Sequence, residues 1–356
     1  MNLLWLSKRH PQQRDLFRSP HGRYYHLPRL LAKQGIRIQM LLLGYQHQPP
    51  VERIEANGGL SIRALAVRPD PRDYYRAAVN AIHDQRPDWI IGSSDIWFAV
   101  LAVHLGRRFR LPTLIDAYDN FETYHPMIPP LRRIWRQTLR RADRVVAAGP
   151  QLAEWMSRTA GQRQVEVVPM AADPEFYPRD RGLCRQHIGL PPTLPLLGYV
   201  GSLDAKRGVE TLFGVYRQLR AERPELRLVV SGRRGKGIVL PDSALNLGYR
   251  PAAEIPLLLN SLNLVLVLNR PTAFGNYSYP AKLYEAMRCQ IPVVAADVPG
   301  TAWILRDHPN CLAPPDDIPS FLQQARIALS HHCYDYGNDD ENQWAVSAQQ
   351  MAKILT

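Results

Sequence analysis

Residues 278–300, SYPAKLYEAMRCQIPVVAADVPG, decide how this chain is folded. Pro280 suits the first position of a helix, because its fixed φ fits there and its missing N–H would be unpaired anyway. The segment therefore predicts a helix starting close to Ser278, with Glu285 about a turn and a half along it and a strand over the apolar run Pro292–Ala296. Upstream, the apolar run Leu264–Leu268 passes into the loop Asn269-Arg-Pro-Thr-Ala-Phe-Gly275-Asn276-Tyr277. Strand, glycine loop and helix make an anion-binding arrangement, since free N–H groups and the positive helix end converge on one spot.

The same rhythm extends in both directions. In the first half, Leu3–Leu6, Ile36–Leu43, Trp89–Gly92, Thr113–Ala117 and Arg144–Ala148 alternate with helical stretches such as Tyr24–Gln34 and Phe98–Leu105. That spacing predicts βαβ units around a parallel sheet buried on both faces. A proline- and aspartate-rich stretch, VPMAADPEFYPRD from Val168, breaks the rhythm as a hinge or linker would. It restarts with strands expected at Leu194–Val200, Leu226–Val230, Leu245–Gly248, Leu264–Leu268 and Pro292–Ala296, and helices at Val209–Arg223 and Ala253–Leu262. Two doubly wound α/β domains follow, as a chain of 356 residues leads one to expect. Trp344, Ala348, Met351 and Leu355 recur at helical spacing, so a last amphipathic helix must pack on one of the two sheets. Open sheets of this kind bind ligands beyond the carboxyl ends of their strands, and two of them facing each other would form a cleft there.

Composition narrows the partners. Hydrophobic residues make up 46% of the chain and charged residues 21%, as in globular proteins generally. The net charge of +12 favours phosphates, anionic membrane or nucleic acid. Cys184, Cys289, Cys311 and Cys333 have neither zinc-site nor disulfide-framework spacing, which fits a reducing cytoplasm. The apolar start Met1–Leu6 is too short for a signal peptide, and no run approaches the roughly 20 apolar residues of a membrane span.

Two further loops carry cations. GYVGSLDAKRGVETL, from Gly198, follows a strand and opens a helix; its glycines, Gly201 beside Ser202 among them, permit close backbone approach, and Lys206 and Arg207 stand where a phosphate would meet the helix end. The same residues also suit a solvated basic turn. SGRRGKG, residues 231–237, is equally consistent with a flexible surface loop. Glu285, near an anion site, is suited to accept hydrogen bonds from a ribose. Lys282 lies on the same helix face and would pair with Glu285 or with the ligand.

With ALNLGYRPAAEIPLLLNSLNLVLVLN and FGNYSYPAKLYEAMRCQIPVVAADVPG following in order, these segments resemble the nucleotide-sugar domain of the retaining glycosyltransferases of family 4. VEVVPMAADPEFYP resembles that family's linker, and RPDWIIGSSD and RADRVVAAGPQLAEWM resemble late parts of its first domain. The resemblance implies a GT-B fold of two facing Rossmann-like domains. These are an acceptor-side domain over residues 1–172, completed by a C-terminal helix within 340–356 that crosses back, and a nucleotide-sugar domain over 173–339. It implies that Lys206 or Arg207 holds the donor diphosphate, that Gly275, Asn276 and Tyr277 offer it backbone N–H groups, and that Glu285 binds the ribose. Two positions depart from the family pattern. Tyr277 stands where a second Glu usually contacts the transferred sugar, and Ser202 where an Arg often follows the first glycine. On the acceptor side the resemblance points to His21 and Gly22, and to Asp119, with Tyr118 in place of a His; Asp119 equally suits a helix cap. His125 is a further candidate for the cleft, or a surface residue. No metal or other cofactor is expected, because cations and helix N-termini would stabilise the leaving diphosphate.

The segment from Met127 to Arg144 places Leu131, Ile134, Trp135 and Leu139 on one stripe among Arg132, Arg133, Arg136, Arg140, Arg141 and Arg144. Such a helix can lie in an anionic membrane interface with its Trp at headgroup depth, or pack on its own sheet with the arginines in water. The economical expectation is a cytoplasmic, peripheral enzyme transferring a sugar to a lipid-linked or glycan acceptor of cell-surface polymers. A catalytically inactive relative, a basic nucleic-acid-binding protein and a nucleotide-sugar epimerase are the competing classes.

Overall fold

The computed structural model describes residues 1–46, 49–55, 59–68, 70, 72–125, 127–161, 164–337 and 343–356. Contacts divide the chain into Met1–Ala171 with Asn342–Thr356, and Ala172–Glu341.

The first unit runs β1 (Asn2–Lys8), α1 (Arg23–Lys33), β2 (Arg37–Gly44), β3 (Val51–Ile54), β4 (Leu60–Ala66), α2 (Arg72–Gln85), β5 (Trp89–Ser93), α3 (Ile96–Phe109), β6 (Thr113–Ala117), α4 (Pro129–Arg141), β7 (Arg144–Ala147), α5 (Pro150–Ala160) and β8 (Val165–Val167). Its strands are ordered β3-β4-β2-β1-β5-β6-β7-β8. All pairs are parallel except β3 with β4, a hairpin the sequence reading did not anticipate. β6 is buried along its whole length, as a strand covered by helices on both faces must be.

The second unit runs α6 (Arg181–Ile188), β9 (Leu196–Val200), α7 (Val209–Glu222), β10 (Arg227–Ser231), β11 (Leu245–Asn246), α8 (Ile255–Asn260), β12 (Leu264–Val267), α9 (Ala281–Arg288), β13 (Val293–Ala296), α10 (Pro299–Ile304), β14 (Leu312–Ala313) and α11 (Ile318–Ala328). Its strands are ordered β11-β10-β9-β12-β13-β14, all parallel. Apolar side chains of α7 and α11, among them Leu212, Tyr216 and Phe321, pack with those of β9, β10 and β12 into one core.

In each sheet the first strand lies between the second and a strand from the later half, so the connections leave in opposite directions at β1/β5 and β9/β12. Loops diverging at such a point leave a crevice. The helix expected from Ser278 begins later, at Ala281, because Pro280 has an extended ψ of 121° and acts as the N-cap. The last helix, α12 (Gln343–Leu355), packs on α1, with Trp344 stacked 5.9 Å from His26 and Ser347 Oγ donating to Pro169 O at 3.0 Å. Residues 340–342 of the expected helix lie outside the described residues. All four cysteines are unpaired.

Candidate active site

The switch point of the second unit is built from the loops after β9, β10 and β12. Beyond β9 the chain turns at Gly201, whose φ of +146° favours glycine. The Gly201 N–H donates to Ser231 O at 2.8 Å, Leu203 N–H to Arg233 O at 2.8 Å and Gly235 N–H to Leu203 O at 2.8 Å. The loops after β9 and β10 are thereby joined, so closely that a Cβ on Gly232 would sit 2.1 Å from Gly201 O. Asp204 then caps a short turn, Ala205–Arg207, by accepting the Lys206 N–H at 2.9 Å, and α7 follows. Lys206 is exposed; Arg207 is half-buried, with its guanidinium 5.7 Å from the centre of the Phe274 ring.

From the loop after β12, Arg270 reaches across this turn. Its Nη1 donates to Ala205 O at 2.7 Å and its Nε to Asp316 Oδ2 at 2.9 Å, which ties the ends of β9, β12 and β14 together. One expectation is corrected here. Gly275, Asn276 and Tyr277 form a 3-10 turn in which the Gly275 N–H donates to Thr272 Oγ1, the Asn276 N–H to Thr272 O and the Tyr277 N–H to Phe274 O. These backbone N–H groups are spent within their own turn and are not offered to a ligand. Cationic side chains also stand at this point, Arg207 near Phe274 and Lys282 near Tyr199. Lys282 and Glu285 stand on α9, both half-buried. The Lys282 ammonium lies 4.9 Å from the centre of the Tyr199 ring. Burial, reinforced by Arg207 and opposed by Glu285, lowers its pKa to about 7. Ser202 is exposed beside Gly201.

The carboxyl ends of β1, β5 and β6 in the first unit gather a different set. Asp119 follows β6 and accepts a hydrogen bond from the Tyr124 hydroxyl at 2.7 Å. Asn120 caps the turn Phe121–Thr123 by accepting the Glu122 N–H. His125 meets Asp95 through Nε2 at 3.3 Å, and the Lys8 ammonium lies 3.9 Å from the other Asp95 oxygen. Burial lowers the Lys8 pKa, against the pull of Asp95 and Asp119. Lys8 and Asp95 were missed in the sequence. Asp95 closes RPDWIIGSSD, directly after a strand, which was the available signal. His21 is buried, its Nδ1 bonded to Ser19 O at 2.8 Å, while Gly22, at φ +60°, precedes α1. Behind them Arg23 and Asp116 form a fully buried ion pair at 2.7 Å. Arg23 also donates to Val168 O and Pro169 O, and Ser93 Oγ donates to Asp116.

The arginine-rich helix α4 packs on its own unit. Trp135 is 0% exposed, together with buried Leu131 and Leu139, so Trp135 is a core residue and not a membrane-interface one. Its ring packs 5.4 Å from that of Phe121. Glu122 binds Arg136 through both carboxylate oxygens. Arg133, Arg141 and Arg144 are exposed, and Met127 (90%), Ile128 and Ile134 add exposed apolar surface nearby.

Residues 22–171 match the model of the glycosyl transferase 4-like domain, and residues 194–331 that of glycosyl transferases group 1. The chain belongs to the family 4 glycosyltransferases. A D-inositol 3-phosphate glycosyltransferase from Nocardia farcinica is 26% identical over 318 residues, 78% of this chain and 69% of that one. Further proteins of that name are matched over less than half of their own length. Among solved structures, sucrose-phosphate synthase from Thermosynechococcus elongatus superposes with a TM-score of 0.76 at 17% identity, covering 99% of this chain and 98% of that one. Anabaena HepE in complex with UDP-glucose does so with a TM-score of 0.66 at 18% identity, covering 100% and 94%. These likenesses establish the GT-B fold of this glycosyltransferase. Among the described residues, no helix is long and apolar enough to cross a membrane, and no group of three or more His, Cys, Asp or Glu side chains could hold a metal ion.

Proposed function

We propose that this glycosyltransferase moves a sugar from a nucleoside-diphosphate sugar to a lipid-linked or glycan acceptor, with retention at the transferred carbon as in its family. The observation that carries the donor half is the β9/β12 switch point, where the Lys282 amine stands over the Gly201 turn with Arg207 acting on it, Lys206 lies exposed on the turn after β9, and Glu285 follows Lys282 by about one helical turn. In this reading Glu285 accepts the two ribose hydroxyls. The three cations stabilise charge as it develops on the leaving diphosphate, which is electrostatic catalysis without a general base at that oxygen. Cations and glycines are poor ligands for a hard metal ion, which binds oxygen, and this donor set suits a metal-independent transfer. Asp119, with His21, Gly22 and His125, is assigned to the acceptor side.

The lipid-linked acceptor draws its support from the exposed arginines and apolar residues around α4, which suit peripheral contact with an anionic cytoplasmic membrane face. A second reading, a small phosphorylated polyol as acceptor, is favoured by the name of the Nocardia relative.

Thermal melting with UDP, GDP, ADP, dTDP, CMP and their sugar conjugates tests the donor half. One base should shift the melting temperature, since a ligand at about a hundred times its Kd adds roughly 2.7 kcal/mol, and Glu285→Ala should lose the shift while melting normally without ligand. No shift with any nucleotide would make the Tyr277 and Ser202 departures decisive and point to an inactive relative. Transfer of radiolabelled sugar to a polyprenyl-phosphate lipid or to inositol phosphate then separates the two acceptors.

A further inference from the structure

We propose that Lys282, one of the cations that meet the donor's diphosphate, takes up a proton from solution as the nucleotide sugar binds. This rests on the donor-site reading above and says how that site handles charge. The geometry isolates the amine at the switch point. Lys282 leaves the first turn of α9 and lies over Tyr199, a fully buried β9 residue whose hydroxyl donates to Ser202 O at 3.1 Å. A Cβ added to Gly201 would come within 3.4 Å of the ammonium nitrogen, so the amine stands directly over the glycine turn.

The groups that act on this amine come from three elements. Tyr199 on β9 offers a ring face but remains a neutral phenol, since burial pushes its pKa up to about 12. Arg207, on the turn after β9, repels a charge on Lys282, and Glu285, on α9 itself, favours one. Burial and Arg207 outweigh Glu285, which leaves the empty site partly neutral near physiological pH. A bound diphosphate brings two negative charges to the same place and reverses the balance. The lysine then becomes fully charged, and the proton it needs must come from the buffer. A lysine serving only as a structural partner of Glu285 would keep one protonation state with or without the ligand.

The test is isothermal titration calorimetry at pH 7.5 in HEPES and in Tris, whose ionisation enthalpies differ. The probe is UDP-glucose, or whichever nucleotide sugar shifts the melting most in the panel above. Its diphosphate is a diester, with no terminal phosphate group of pKa near 6 to confuse the count. Binding should take up a fraction of a proton, and Kd should rise with pH above neutrality, by up to about tenfold per pH unit. Lys282→Arg should bind with a pH-independent Kd and no uptake. Lys282→Met should bind at least about tenfold more weakly, also without uptake; circular dichroism verifies that both variants are folded. Wild-type binding with no proton uptake and a flat pH profile would overturn the proposal while leaving the donor site intact. No binding of any nucleotide sugar to the wild type would overturn the donor-site reading itself, and this proposal with it.

Discussion

The two sheets place their loops alike and fill them with opposite chemistry. At the β1/β5 point of the first unit, polar groups are closed on each other: Arg23 on Asp116, Lys8 and His125 on Asp95, and the Tyr124 hydroxyl on Asp119. At the β9/β12 point of the second, the half-buried Lys282 stands over the Gly201 turn with its pKa pulled down, and Lys206 and Arg207 lie on the turn that follows β9. Topology fixes where a crevice opens in both. Whether the charge there holds the fold or waits for a ligand depends on how far the protein has already neutralised it.

Four experiments bear on that contrast. The largest effect is expected from Arg23→Met, which strands the Asp116 carboxylate in the core; breaking a buried pair in this way costs about 3–5 kcal/mol and should lower the melting temperature by about 10 °C. Arg23→Met with Asp116→Leu should recover much of that loss, and a single variant that melts like the wild type would show the pair to be dispensable. Next, Asp119→Asn should reduce turnover about a hundredfold, the size of a lost proton-transfer or charge-stabilising group, with donor affinity measured by calorimetry unchanged. An equal fall in donor affinity would move Asp119 out of the acceptor role. Third, Arg207→Ala should weaken nucleotide-sugar binding about tenfold, as removal of one charge-assisted hydrogen bond does, without changing the melting temperature. Loss of stability instead would give Arg207 the same structural part that Arg23 plays. The smallest effect concerns the surface of α4. Each exchange of Arg133 or Arg141 for Glu should reduce co-sedimentation with phosphatidylserine vesicles by fivefold or more, from about 1 kcal/mol per basic residue near an anionic surface. Wild-type protein that ignores such vesicles would favour the soluble polyol as acceptor.

Much of the architecture was legible because burial on both sides of a parallel sheet leaves apolar runs in the sequence, and because glycines and prolines mark where strands hand over to helices. The returning helix was legible too, from Trp344, Ala348, Met351 and Leu355, although periodicity gave no indication that α1 would be its partner. What escaped was pairing between distant segments. Arg270 finds Asp316 and Ala205, and Lys8 finds Asp95; no local pattern announces either. The same blindness explains one choice left open and one correction. Trp135 lies on an amphipathic stripe that suits a membrane and a core equally, and it became a core residue when Phe121 and the α4 contacts closed over it. The N–H groups of residues 275–277 looked free because the hydroxyl of Thr272 and the carbonyls near it, which occupy them, are determined by how the loop curls.

The return of α12 to α1 also imposes an order on synthesis. The first unit is interrupted: its sheet leaves the ribosome early, but the helix that seats Trp344 on His26 follows only after the whole of the second unit. At a translation rate of about 5–20 residues per second, the nascent sheet spends on the order of ten seconds with that face uncovered. During that interval the second unit, continuous in the chain, can fold to completion. The first unit therefore begins folding first and finishes last.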